Sequence, residues 1–198
     1  MMRFAVAVAA FALTTVAFAQ NPITADSPFQ VRYAANLNIG DSVVNISNSG
    51  YSGGPICANL YTFDPAEEMI SCCSCSITPN ALQSLSVLKS LISNPLTPAI
   101  PTSAIIKIVA TTGGGCNAGA AATLATGLLA WGTTIHANTS TTPVTYFGVE
   151  TAFTPASLSD GEYTHLTSYC GFIQSNGSGF GICKGCAPGG LGAASSNQ

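Results

Sequence analysis

Charge is scarce in this chain. Five basic and eight acidic residues occur among 198, a charged fraction of 7% with a formal net charge of -3. Globular proteins average about 25% charged residues. So few cations exclude the basic footprint of a nucleic-acid binder and the polybasic patch of a membrane-surface protein. The high charge that marks disorder is missing too. Only two histidines are present, His136 and His165. Past the N-terminus, the stretch at 118–131 is apolar but short and rich in Ala, Gly and Thr, so no membrane span is expected. The C-terminal end lacks the hydrophobic tail of a lipid-anchor signal.

What is present begins with an address. Met1-Met2-Arg3, a mainly apolar stretch at 4–18 and the triplet Ala17-Phe18-Ala19 follow the three-part pattern of a secretory signal peptide. The expected organisation is a removed signal peptide at 1–19, a flexible segment at 20–28, one domain at 29–186 and a flexible Gly/Ala/Ser-rich tail at 187–198. The expected location is outside the cytoplasm: extracellular, periplasmic or on the cell surface.

Export decides how the eight cysteines read. Cys57, Cys72, Cys73, Cys75, Cys116, Cys170, Cys183 and Cys186 form an even set, which in an oxidising compartment means disulfides. Each crosslink contributes about 2–4 kcal/mol by restricting the unfolded chain. Adjacent Cys72 and Cys73 point to opposite faces of a strand, so different partners are expected for them. The tail cysteines Cys183 and Cys186 are expected to pair back onto Cys170 or the cluster at 72–75. Hydrophobins also carry eight cysteines, but with two adjacent pairs; one adjacent pair and wider spacings exclude that family here.

Hydrophobic alternation predicts a β-rich fold. Phe29, Val31, Tyr33, Ala35, Leu37 and Ile39 recur at period two, and Val44 and Ile46 continue the pattern. Residues 56–63 read as a strand with apolar residues on both faces, and 69–77 as the strand carrying the cysteine cluster. Residues 82–92 fit a short helix or a strand. Further strands are expected at 105–110, 129–135 and 144–149. Seven or eight short strands predict an antiparallel β-sandwich, Ig-like or jelly-roll-like. Ser159 and Glu162 form a capping box ahead of Tyr163, Leu166, Cys170 and Ile173. These predict one C-terminal amphipathic helix stopping at Asn176-Gly177, followed by a disulfide-tied glycine-rich tail.

Few constellations suggest chemistry. Gly50-Tyr51-Ser52-Gly53-Gly54-Pro55 resembles the nucleophile loop of trypsin-like proteases over six residues, with Tyr51 where that family has Asp. That family's histidine and aspartate precede the serine, and no histidine precedes Ser52. A glycine-rich hairpin turn is expected instead. Cys116 follows Gly113-Gly114-Gly115, and its order with His136, His165 and later asparagines is similar to papain-like enzymes. Their signature around the nucleophile is absent, and a free Cys116 would leave seven cysteines to pair. The spacing of Cys183 and Cys186, with Cys72, Cys73 and Cys75, suits a metal or redox module, although export favours oxidation. Asp64, Glu67 and Glu68 form the one acidic cluster, read as a capped turn with proline at its first helical position. Asn45, Asn138 and Asn176 head three glycosylation sequons, expected in exposed turns.

The expectation is therefore a secreted or envelope-associated, non-catalytic structural, adhesive or binding domain. No cofactor, metal or catalytic residue is expected, and the partners in view are a second copy or an extracellular protein or glycan. The alternatives are a secreted hydrolase using Ser52 or Cys116 with His136 or His165, and a cysteine-based metal or redox module. If a functional surface exists, the small side chains at 50–54 and 113–115 place it there.

Overall fold

The computed structural model describes residues 27–113 and 115–186. The expected signal peptide, residues 20–26 and the tail at 187–198 lie outside the described residues. Ten strands are found: β1 (Phe29–Ala34), β2 (Val43–Asn48), β3 (Ile56–Phe63), β4 (Met69–Ile77), β5 (Leu82–Ser86), β6 (Ala104–Thr112), β7 (Thr123–Leu124), β8 (Leu128–Asn138), β9 (Thr145–Ala152) and β10 (Thr154–Pro155), followed by helix α1 (Asp160–Ser175). Two strands are only two residues long, which leaves eight of substance. One sheet runs β10-β1-β6-β3-β4 with β7 on β6; the other runs β5-β2-β8-β9. Every strand pair is antiparallel. The protein is thus mainly β, an antiparallel two-sheet sandwich with one main helix among the described residues.

The apolar residues on both faces of β3 explain the layering. All eight of its residues are buried, so its sheet needs cover on each side. Ile56, Ala58 and Leu60 join Val44, Ile46, Leu85, Ile106, Ile108 and Leu128 in the core between the sheets. Fully burying such a side chain is worth about 1.5–3 kcal/mol. Tyr61 and Phe63 face the other way and meet Leu166, Cys170 and Ile173 of α1. The order is sheet, sheet, helix.

The helix begins at its expected cap. Ser159 Oγ accepts from Glu162 N–H at 3.1 Å, satisfying an otherwise unpaired donor of the first turn. The capping box is only half formed, because the Glu162 carboxylate turns instead to Lys107 Nζ at 2.6 Å. Asn176 and Gly177, the latter at φ +70°, end the helix. Loop residues 117–122 are clamped beneath it. Tyr61 Oη donates to Ala118 O at 2.9 Å, and Tyr163 Oη bonds both Ala122 O and Ala122 N–H.

Several expectations need correction. The period-two signal over 29–39 overruns its strand, because Asn36 takes φ +60° and turns the chain toward the second sheet. Residues 82–92 are neither alternative alone: β5 is followed by a single wide helical turn at Val87–Leu91. Residues 50–54 do not close a hairpin, since β2 and β3 lie in different sheets. Asp64 does cap a turn, accepting from Ala66 N–H and Glu68 N–H at 2.9 and 3.0 Å. That turn joins β3 to β4 rather than starting a helix. Asn45 lies half-buried within central strand β2, bonded to Ser84 Oγ, and not in an exposed turn.

Candidate functional site

Sulfur organises the molecule. Cys57 bonds Cys116, Cys72 bonds Cys170, Cys73 bonds Cys183 and Cys75 bonds Cys186, with Cα separations of 5.1, 5.9, 5.5 and 5.2 Å. No cysteine is left free. The strand pleat sends Cys72 to the helix side and Cys73 and Cys75 to the opposite side. Of the two docking places expected for the tail cysteines, both take the β4 cluster. The sulfurs of Cys73, Cys75 and Cys186 lie within 4.8 Å of one another, the one such group of metal-ligand type among the described residues. Disulfide sulfur offers neither the thiolate a metal requires nor a nucleophile. The same holds for Cys116.

The hydrolase residues are far apart. Ser52 Oγ donates within its own loop to Gly54 O at 3.0 Å. That loop sits beside Gly127, where an added Cβ would lie 3.5 Å from Tyr51 N. His136 is eight residues further along β8 from Leu128, roughly 26 Å of extended chain. There it stacks on Phe147, with ring centroids 5.6 Å apart. His165 borders Phe63, the end of β3 opposite to the one this loop enters, roughly 23 Å along that strand. The loop at 50–54 enters β3 at the end of the sandwich where Cys57 is crosslinked to Cys116, beside Gly115.

A concave surface lies elsewhere, beside α1. Two adjoining hollows of about 370 and 340 Å³ flank α1 beside the β3–β4 turn and share Phe63, Glu67 and His165. His165 meets Tyr169 edge to face at 4.3 Å, and Tyr169 and Phe172 stand exposed along the rim. Glu67, held at φ +68°, and Glu68 supply the acidic wall. Lys107 lies 4.8 Å above the Phe63 ring and is neutralised by Glu162. The groove is therefore aromatic on one side and acidic on the other. It fits a ligand that offers hydroxyls or positive charge beside an apolar face.

A second cleft, about 320 Å³, opens between β1 and the β8–β9 pair. Arg32 lies at its base, nearly buried. It donates to Thr134 Oγ1 at 2.8 Å and to Thr151 through both the carbonyl and the hydroxyl oxygen. Burial lowers its pKa, and the field of Glu150 partly opposes that shift. Its Nε has no partner and faces Gly132, where an added Cβ would lie 2.8 Å away. Glycine at 132 is what lets the guanidinium lie flat against β8.

No family model, curated protein or solved structure matches this chain.

The groove residues went unseen in the sequence as a set. Glu67 comes from a segment about a hundred positions from His165 and Tyr169, so no stretch of sequence presents the three together. Within α1 alone, the local signal is the helical spacing of His165, Tyr169 and Phe172.

Proposed function

We propose that this chain is an exported, non-catalytic β-sandwich domain, 29–186, that acts by binding or assembly rather than by chemistry. The observation that carries the reading is the complete pairing of eight cysteines into four crosslinks. Such a set persists in an oxidising compartment and not in a reducing one. The signal-like N-terminus agrees with that compartment. Among the described residues, no helix is long and apolar enough to cross a membrane. The separations of Ser52 from both histidines, and the bonded state of Cys116, weigh against the hydrolase alternative. The oxidised cluster around β4 weighs against the metal or redox alternative.

The deciding measurement is a thiol count on protein recovered from the exported fraction without reductant, together with its metal content. The expected result is no free thiol and no bound zinc. Free thiols accompanied by stoichiometric zinc, or an esterase or peptidase activity lost in Ser52→Ala, would overturn the proposal.

A further inference from the structure

The four outer edges of the two sheets are not alike. The β4 edge is occupied: Cys72 N–H donates to Gly181 O at 2.9 Å, and Ile182 bridges to Cys72 in parallel. The β1 edge is closed at Gln30 and Val31 by β10, which ends in proline. The β5 edge carries the Gly185 segment, whose carbonyl accepts from Gln83 Nε2 at 3.0 Å. Among the described residues, nothing lies along the outer edge of β9.

That edge is ready to bond. Phe153 N–H donates to Ala130 O at 2.9 Å, and the β8–β9 ladder continues without a shift to Asn138 and Thr145. Antiparallel alternation then turns the N–H and C=O of Tyr146, Gly148, Glu150 and Ala152 away from β8. Sheet edges are commonly guarded by lysine, proline or a bulge, and β9 has none of these. All eight of its residues are exposed, including Tyr146 at 60% and Phe147 at 51%.

The ribbon is also short of strands. β2 accompanies β8 only as far as Thr133. The Asn36 side chain meets the far side of β8 at Ile135 O, 3.1 Å away. From Thr134 outward, β9 is the only strand beside β8 among the described residues. A two-stranded ribbon is marginal in water, and a third strand relieves that.

We propose that β9 pairs antiparallel with β9 of a second copy, about a two-fold axis at Gly148, to form one continuous sheet. This deepens the reading of the chain as an assembly module and rests on it. The strand is self-complementary in this register. Gly148 faces its own copy. Phe147 lies across from the partner's Val149, and the reverse, giving two aromatic–β-branched pairs on one face. Glu150, the one charged residue of β9, lies across from the partner's Tyr146. A register that sets Glu150 against itself opposes like charges and is disfavoured. The outward groups at 146, 148 and 150 supply about six new backbone hydrogen bonds. A net charge of only -3 on 198 residues offers little repulsion between copies.

The test is sedimentation velocity on the oxidised, exported protein over a roughly hundredfold concentration range. The wild type is expected to dimerise reversibly. Tyr146→Lys sets a cation beside the partner's Glu150 twice and tightens the dimer, roughly fivefold. Gly148→Lys sets two cations face to face on the axis and loosens it, roughly tenfold or more. If Gly148→Lys fails to fold, Tyr146→Pro removes one outward donor without touching the β8 ladder and must loosen the dimer as well. A monomer at every concentration, or one dimer constant shared by all variants, overturns the pairing. So does a monomer that instead takes up an unrelated β-strand peptide on β9. With all thiols oxidised, those outcomes leave the exported-domain reading standing; free thiols would sink that reading itself.

Discussion

Gly119 and Gly171 meet backbone to backbone: a Cβ added to Gly119 would lie 2.8 Å from Gly171 Cα. The contact lets the 117–122 loop slide beneath α1, where Tyr61 and Tyr163 grip it. Gly119→Ala must push the helix or the loop aside, and the expected loss is about 1–3 kcal/mol. Gly171→Ala meets Gly119 O at a looser 3.1 Å and recovers up to about 1 kcal/mol of helix propensity, so it is the milder change. Urea denaturation midpoints of the two variants compare them directly; equal losses would show that the close approach is not what sets the stability here.

Tyr61 makes stability depend on alkaline pH. Burial raises its pKa above the ordinary value of 10, and nearby Tyr163 pushes the same way. The folded protein then holds the phenolic proton more tightly than the unfolded chain. Tyr61's contribution is complete below about pH 10, and it is lost as pH climbs through the folded-state value. In a spectrophotometric titration, the Tyr61 phenol should ionise only on unfolding. Tyr61→Phe should erase that late step and cost about 1 kcal/mol at neutral pH, through the donor lost to Ala118 O. A late-ionising tyrosine that survives the substitution would assign the step to another residue.

The tail is held at Lys184 by one backbone bond, donated to Ser90 O at 2.9 Å, and by the flanking crosslinks at Cys183 and Cys186. Replacing Cys73 and Cys183 together with serine should lower stability by about 2–5 kcal/mol. It should also speed trypsin cleavage after Lys184, read by mass after reduction. Replacing Cys57 and Cys116 is the control, because Cys57 lies on the opposite face of the sheet from Cys73 and Cys75 and its crosslink does not involve the tail. Unchanged cleavage in the first variant would mean that the Lys184 and Gly185 hydrogen bonds and the Cys75–Cys186 crosslink suffice to hold the segment.

Where neighbours in the chain are also neighbours in space, the sequence was readable. The limits of β3 and β4 follow from apolar patterning bounded by Asp64-Pro65 and the turn after Ile77. The helix follows from Ser159 and the spacing of Leu166, Cys170 and Ile173. The pattern at 29–39 misled because alternation reports which side a residue faces and not whether the chain continues straight; Leu37 is buried at a corner. Residues 50–54 look the same whether they join strands of one sheet or of two. The alternation around Val144–Val149 says nothing of exposure, which is set by the missing neighbour of β9. The groove of Glu67, His165 and Tyr169 is a product of topology, and no local window contains it.

Three crosslinks leave β4 for partners 98, 110 and 111 positions later. A chain emerging from its N-terminus therefore presents Cys72, Cys73 and Cys75 long before any of their mates exists. Those thiols must wait, or join wrongly with Cys57 or with each other and be reshuffled. Correct pairing of the β4 cysteines is accordingly a late event, gated by synthesis of the polypeptide from Cys170 onward.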